Sequence, residues 1–485
     1  MRTQPNPNIK EYVLRGLLYL YPVVAICATP FALAQRGATK QSVVKPATII
    51  LVTNTNDSGL GSLRDALAVA NDGDTIDATG VSGTILLTSG HLNVDEDVTI
   101  SGPGANHLTV DGDGQSRVFF INLGRTVTID GLTVENGYSD YGAGIYNLRA
   151  MLTVSNCIIS GNSGGGISND EGALMVSNCI ISGNSDLGGI SAGAGPSGIA
   201  TITIDNSTIS GNSASYGGGV LNSASGYAEL TITDSTISGN SAELGGGIYN
   251  STSGSQGAYS TVTLRNSTVD DNSASDGGGI YSSAGRPNRA SLSVENSTIS
   301  HNSASNNGGG IYNAAGGTFS SAGVTVINST LSGNSANANG GGICNLAAGG
   351  GFATLVLGNT ILNAGTLGEN IFNEAATVNS VGYNMSSDDG GGLLTGSGDH
   401  INTDPVLGPL QDNGGLTLTH ALLPGSPGIN AGAPSFTPPP FYDQRGTGFD
   451  RIVNGRIDIG SFEVQAPRPS PTPRPRPTAH PRLTP

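Results

Sequence analysis

Tryptophan is absent from this chain of 485 residues, and Asp, Glu, Lys and Arg together make up only 12% of it. Lysine stops at Lys45; every later cation is Arg or His. The formal net charge is −16, so a nucleic-acid partner has no general electrostatic support. No P-loop, G-x-S-x-G or zinc-ligand spacing is found. Cysteine is scarce, at positions 27, 157, 179 and 344. Glycine, by contrast, fills 75 positions. That is poor material for helices, because Gly costs about 1 kcal/mol relative to Ala in a helix interior. The chain is still too apolar and too patterned for disorder.

The N-terminus reads as an export signal. Arg2, Lys10 and Arg15 precede the apolar run 16–34, which closes on Ala32-Leu33-Ala34, a small-x-small cleavage pattern. An uncleaved anchor is the other reading, and it would be the chain's one membrane contact; Pro22 and Pro30 argue against a clean spanning helix. Removal of 1–34 leaves Cys157, Cys179 and Cys344, an odd number and no disulfide framework. Cys157 and Cys179 occupy one repeat position. They read as small buried side chains, with a bond open only if their Cβ vectors converge.

What the chain does have is a repeat. Its first half is NCIISGNS at 156 and 178, NSTISGNS at 206, DSTISGNS at 234, NSTVDDNS at 266, NSTISHNS at 296 and NSTLSGNS at 328, with a worn NTILNAGT at 359. Its second half is GGGIYN or a relative. Successive copies start 22, 28, 28, 32, 30, 32 and 31 residues apart. Such a period signals a solenoid. The shortest copy shows that a turn needs no insertion. The additional residues of the others are expected as loops at one place, after GGGIYN, projecting from one face. The apolar runs are short, alternate with period two and leave no room for a crossover helix. The fold class expected is therefore all-β, a parallel β-helix, with equivalent residues about 4.8 Å apart in stacked coils. Ile209, Ile237, Val269, Ile299 and Leu331 then form one interior row. Asn162, Asn184, Asn212, Asn240, Asn272, Asn302 and Asn334 share one phase and are expected to stack as an amide ladder.

The ends differ from the middle. SLRDALAVAND (62–72) places Leu63, Ala66, Leu67 and Ala70 on one helical face, with Ser62 and Asp65 as a capping box. It is expected as a short N-terminal capping helix over the open end of the solenoid. Residues 83–114 read as the first coils. The last twenty residues hold eight Pro and four Arg, the composition of an extended spacer. The organisation expected is a signal at 1–34, a linker at 35–47, cap and first coils at 48–150, repeats at 151–378, a C-terminal module at 379–465 and a tail at 466–485.

Residues 51–76, with Gly61-Ser62-Leu63-Arg64-Asp65-Ala66, resemble the N-terminal module of bacterial secreted proteins that carry a C-S-L-R-E-x-D type motif; Gly61 stands for its Cys and Asp65 for its Glu. GGGIYN and GNSA are similar to the repeats of polymorphic outer-membrane proteins and of pectate-lyase-like β-helices. Residues 404–432, with Asp443–Gly446 and Asp458–Glu463, resemble a "choice-of-anchor Q" module. The resemblance implies a right-handed parallel β-helix, secreted or displayed on a bacterial surface. It implies no single activity.

Two functions follow. One is a non-catalytic adhesin or glycan-binding scaffold, expected as a monomer. The other is a lyase or hydrolase acting on acidic polysaccharide. Its candidate residues lie where the repeat is broken: Asp270-Asp271 replace Ser-Gly in one coil, and His301 replaces the same Gly in the next. In-register stacking would make Asp271 and His301 neighbours, with Arg265, Asp276, Arg286 and Arg289 close in sequence. No cofactor is expected; calcium is the one ion that either reading admits, held by carboxylates or bridging an acidic glycan. Asp443, Arg445, Asp458 and Glu463 are expected to pair and close the C-terminal end of the helix.

Overall fold

The computed structural model describes residues 47–254 and 257–465. The export-signal reading, the linker short of Ala47, and the Pro/Arg-rich tail lie outside the described residues. Each complete coil contributes one strand to each of three parallel sheets, which with the incomplete coils at the ends have 13, 12 and 11 strands. We call them faces 1, 2 and 3. In one coil, Ile199–Asp205 runs along face 1, Thr208–Ser210 along face 2 and Val220–Ala224 along face 3. The next strand, Tyr227–Thr233, returns to pair in register with the first.

Period-two alternation decides which residues enter. In Thr-Ile-Ser of face 2 only the middle side chain points inward. Ile209, Ile237, Val269, Ile299 and Leu331 pair coil to coil and are almost wholly buried. They belong to one core that runs from Val52 to Leu394. The corners between faces demand left-handed backbone. Gly211, Gly239 and Gly333 supply it before face 3 (φ 64°, 62° and 68°), a conformation that costs glycine nothing. Asn206, Asn266, Asn296 and Asn328 do the same before face 2 (φ 43–54°).

The seven asparagines of one phase are buried at the next corner. Each amide donates to the Oδ1 of the following one, at 2.8–3.0 Å from Asn162 through to Asn334. Each Oδ1 also takes the backbone N–H of the residue before it in the column, as Asn240 Oδ1 does from Asn212.

The α-helix spans Leu63–Val69, shorter than the sequence pattern suggests because Ala70 is already extended. Ser62 Oγ accepts from Asp65 N–H (3.1 Å), the forward half of a capping box, while Asp65 accepts from the N–H of Gly61 (3.3 Å), one residue before the cap. Leu63, Ala66 and Leu67 are buried against the first coils.

Two expectations need correction. The additional residues of longer coils do not sit at one place. Some enter between faces 2 and 3, where Ser213–Tyr216, Ser241–Leu244, Ser273–Asp276, Ser303–Asn307 and Ser335–Ala336 form a fourth, five-stranded ribbon. Others enter between faces 3 and 1, where they largely lengthen both flanking strands. That corner becomes a narrow flange filled by Ala284, Ala290, Ala315, Ala322 and Ala353. Backbone pairing and small side chains hold it, so most of the insertion is sheet. The second correction concerns residues 401–465. They do not close the end of the solenoid. They fold back along its flank and cover the outer surface of face 2 over its last coils.

Candidate functional site

The flank under residues 401–465 is built from the outward column of face 2. Thr208 and Thr236 are half-exposed, but Thr268, Thr298 and Thr330 are buried. Ile361 and Met385 then continue the column and pack with Leu422 and Ile459. Gln444 fastens the contact: its Nε2 donates to Thr268 Oγ1 (3.0 Å) and Thr417 Oγ1 (3.0 Å), while its Oε1 accepts from Thr298 (2.6 Å). Ser461 N–H donates to Thr330 Oγ1 (3.1 Å). Behind this seam Arg445 pairs with Asp443 at 2.5 Å, its guanidinium between the rings of Phe449 and Phe462. Arg451 is fully buried beside Asp443, Asp458 and Glu463.

The candidate acid–histidine pair lies on the edge of this seam. Asp271 and His301 occupy the same corner of successive coils, with φ of 54° and 51° where neighbouring coils use Gly. Asp and His are among the non-glycine residues that tolerate this region. The ring of His301, however, reaches Asp270, with Nδ1 3.0 Å from Oδ1, and not Asp271. The reason is direction: Asp270 ends the face 2 strand in the outward column, in line with Ser300 of the next coil. His301 turns back over that column. Burial pushes the Asp270 carboxyl up, and its bond to His301 pulls the other way.

Ser300, fully buried, links the pair to a second histidine. His420 Nδ1 lies 2.7 Å from the Gly408 carbonyl and must donate to it. Burial holds the His420 pKa below its usual value. Its Nε2 is therefore an acceptor, 2.8 Å from the Ser300 hydroxyl, whose single proton it shares with the Ser332 carbonyl at 3.0 Å. Ser300 Oγ is left as an acceptor for His301 Nδ1–H, which it shares with Asp270 (3.1 Å). The network orients His301 and leaves its Nε2 free beside Gly333. Ser300 is out of reach of any substrate. The arginines and acid near in sequence are not brought in. Arg265 pairs with Glu295 (3.2 Å), Asp276 accepts from Asn307 on the ribbon (2.8 Å), and Arg286 and Arg289 lie in or beside the flange corner.

On the opposite edge of the seam is an open cleft of about 610 Å³. Asp234 and Asn266 from face 2 corners form one wall; Leu416, Phe441 and Tyr442 form the other. Phe441 is 66% and Tyr442 38% exposed. Burial raises the Asp234 carboxyl, opposed by a hydrogen bond to Asn266.

A family model described as the right handed beta helix region matches residues 83–259. A second, described as the Chlamydia polymorphic membrane protein repeat, matches residues 296–314. The chain is a right-handed parallel β-helix. A solved structure titled pectate lyase Pel9A is similar at 14% identity and a TM-score of 0.43, over 87% of this chain and 98% of that one. No curated protein matches the chain.

Sequence reasoning missed three features of this β-helix. The Asn of GGGIYN builds a second buried column, with Asn222 donating to Asn250 (3.0 Å) and Asn313 to Asn345 (2.8 Å). The Tyr of the same phrase stacks outside it, Tyr249 on Tyr281 and Tyr281 on Tyr312, with centroids 5.1 and 4.9 Å apart. Both were legible, since their phase is constant. The cover over face 2 had a fainter signal: Ile361 and Met385 stand where the five preceding coils place a threonine, although Ile158 and Ile180 hold the same column uncovered.

Proposed function

We propose that this β-helix is an extracellular or surface-displayed protein that binds glycan without altering it chemically. The observation that carries the reading is the cleft beside the seam. It sets the exposed rings of Phe441 and Tyr442 across from a carboxylate and an amide. A sugar needs this combination: its C–H face packs on an aromatic ring, and its hydroxyls bond to the polar wall. The apolar N-terminal segment supports export, and the resemblance of both ends to modules of secreted bacterial proteins supports display. The ladders support a scaffold role, because their polar groups are consumed in holding coil to coil.

A second reading has one observation in its favour. His301, oriented by Asp270 with Nε2 free, has the form of a general base. It would serve a lyase or hydrolase acting on acidic polysaccharide, with Asp271 nearby. One experiment separates the two. The full chain is incubated with pectate, alginate, xylan and glycosaminoglycans, with and without calcium, and chain length is followed by size exclusion. The scaffold reading expects retention of a polymer without shortening, lost in Tyr442→Ala. Shortening that disappears in His301→Ala replaces it with the enzyme.

A further inference from the structure

A separate part of the surface is built to present an aromatic ring. Residues 138–142, between faces 2 and 3 of an early coil, carry Tyr138 and Tyr141, exposed to 59% and 62%. The segment that holds them is fixed. Arg117 donates from Nη2 to the Tyr141 carbonyl (2.7 Å) and to Ser139 Oγ (3.0 Å), and from Nε to the Gly142 carbonyl (3.0 Å). Its guanidinium lies over the rings of Tyr146 (4.7 Å) and Phe120 (5.3 Å), which stack on each other. Ser139 N–H donates to the Ser163 carbonyl of the next coil (3.1 Å). The ordering cost of presenting Tyr141 is thus met before any ligand arrives.

Tyr141 is a ridge between two hollows. One, of about 350 Å³, is floored by Ser168, Ser191 and Asp170, with Tyr146 on its side. The other, of about 390 Å³, lies among Tyr138, Asp140, Ser163 and Asp186. Two of the carboxylates are already positioned by hydroxyls: Tyr146 donates to Asp170 Oδ2 (2.9 Å) and Ser163 to Asp186 Oδ2 (2.7 Å). None of the described residues lining either hollow is cationic. Of the neighbouring cations, Arg117 directs its guanidinium at backbone carbonyls and a serine, and Arg149 pairs with Glu171 (2.8 Å).

An aromatic ridge between two cups rich in hydrogen-bond acceptors and without cations suits one class of ligand. A neutral sugar stacks on the ring and donates its hydroxyls to carboxylates on both sides. An acidic sugar would meet three like charges. We infer that Tyr141 and its two flanking hollows form a second binding site, for a neutral oligosaccharide that bridges the ridge. The inference rests on the glycan-binding reading but places it at a different site from the cleft at Tyr442.

The test uses the full chain with cellohexaose, maltohexaose, laminarihexaose and hexagalacturonate. Calorimetry is the readout, because the chain's fourteen tyrosines would all contribute to an intrinsic fluorescence signal. At least one neutral hexasaccharide is expected to bind wild type and Tyr442→Ala alike. Tyr141→Ala should weaken that binding roughly tenfold or more, the range of an interfacial anchor. Tyr141→Phe should bind as wild type. Amide exchange protection of the coils around residue 141 should be unmoved in Tyr141→Ala, since the ring is exposed. Absence of binding by all three neutral sugars, preference for hexagalacturonate, or binding indifferent to Tyr141→Ala overturns the inference. Binding lost in Tyr442→Ala but kept in Tyr141→Ala overturns it while leaving the cleft in place. Binding kept at wild-type affinity in the double variant Tyr141→Ala/Tyr442→Ala removes both sites.

Discussion

Replacing Asn240 by alanine removes one rung from the middle of the amide ladder. The side chain is fully buried. Its Nδ2 donates to Asn272 Oδ1 (2.9 Å) and to the Ile209 carbonyl (3.0 Å). Its Oδ1 accepts from Asn212 through both backbone N–H and Nδ2, each at 3.0 Å. After the change Asn212 Nδ2 keeps the Ile181 carbonyl, and Asn272 Oδ1 keeps the backbone N–H of residue 240. The buried N–H of Asn212 loses the acceptor that Asn240 supplied. An orphaned buried donor costs about 1–3 kcal/mol, and each of the three other lost bonds about 1 kcal/mol, so the expected cost is about 4–6 kcal/mol. A stacked array need not unfold in one step, so a single melting temperature is a poor readout. Amide hydrogen exchange is the suitable assay, because it reads opening coil by coil. Protection should fall roughly a hundredfold or more in the coils around residues 206–272 and little in distant ones. Thr208→Ala, on the half-exposed outer column of face 2, should stay within about 0.5 kcal/mol. A second variant gives the sign. Asn240→Asp keeps the acceptor but buries a carboxyl, whose folded-state pKa must rise above its unfolded value. Its stability relative to wild type is then greatest at low pH and falls as pH rises through the folded value. An effect of Asn240→Ala below about 1 kcal/mol, or equal to that of Thr208→Ala, would refute the reasoning.

Gln444→Ala should loosen residues 401–465 from the flank, at a cost of about 2–4 kcal/mol, seen as faster proteolysis of that segment with the coils left intact. Burial, then the neighbouring Asp458, pushes the Glu463 carboxyl up to about 8. A raised folded-state value means its contribution is complete at low pH and is lost as pH climbs from the ordinary carboxylate range to about 8. Glu463→Gln should flatten that part of the stability–pH curve in a denaturant titration; an unchanged slope counts against the assignment. Cys157, Cys179 and Cys344 are buried free thiols. In a Cys27→Ser background none should react with a thiol reagent until denaturant is added, and rapid native labelling would contradict the packing.

Much of this was legible because the repeat carries phase. Once the period was read, alternation assigned the inward row from Ile209 to Leu331, and the constant position of Asn162 to Asn334 put seven amides at one corner. The short helix was legible from Ser62, Asp65 and the spacing of Leu63, Ala66 and Leu67. The failures came where contact crosses phase or distance. Asp271 and His301 share a phase, yet the ring met Asp270, because His301 turns back over the outward column that Asp270 ends. The insertions looked like loops because Ser and Gly favour turns. They form sheet because neighbouring coils pair with them and a flange needs small side chains.

The sequence by itself determined the coil: which residues turn, which face inward, and that stacking identical phrases satisfies their polar groups. Those are local or nearest-neighbour matters, and periodicity records them. Only the tertiary structure decided what the flanks carry. Residues about 150 positions apart meet at Thr268 and Leu418, and Thr298 meets Gln444. The His301 network, the cleft at Tyr442 and the ridge at Tyr141 all depend on how one element lies against another. No period encodes such meetings, because each is made once, by side chains whose partners are chosen by packing and not by repetition.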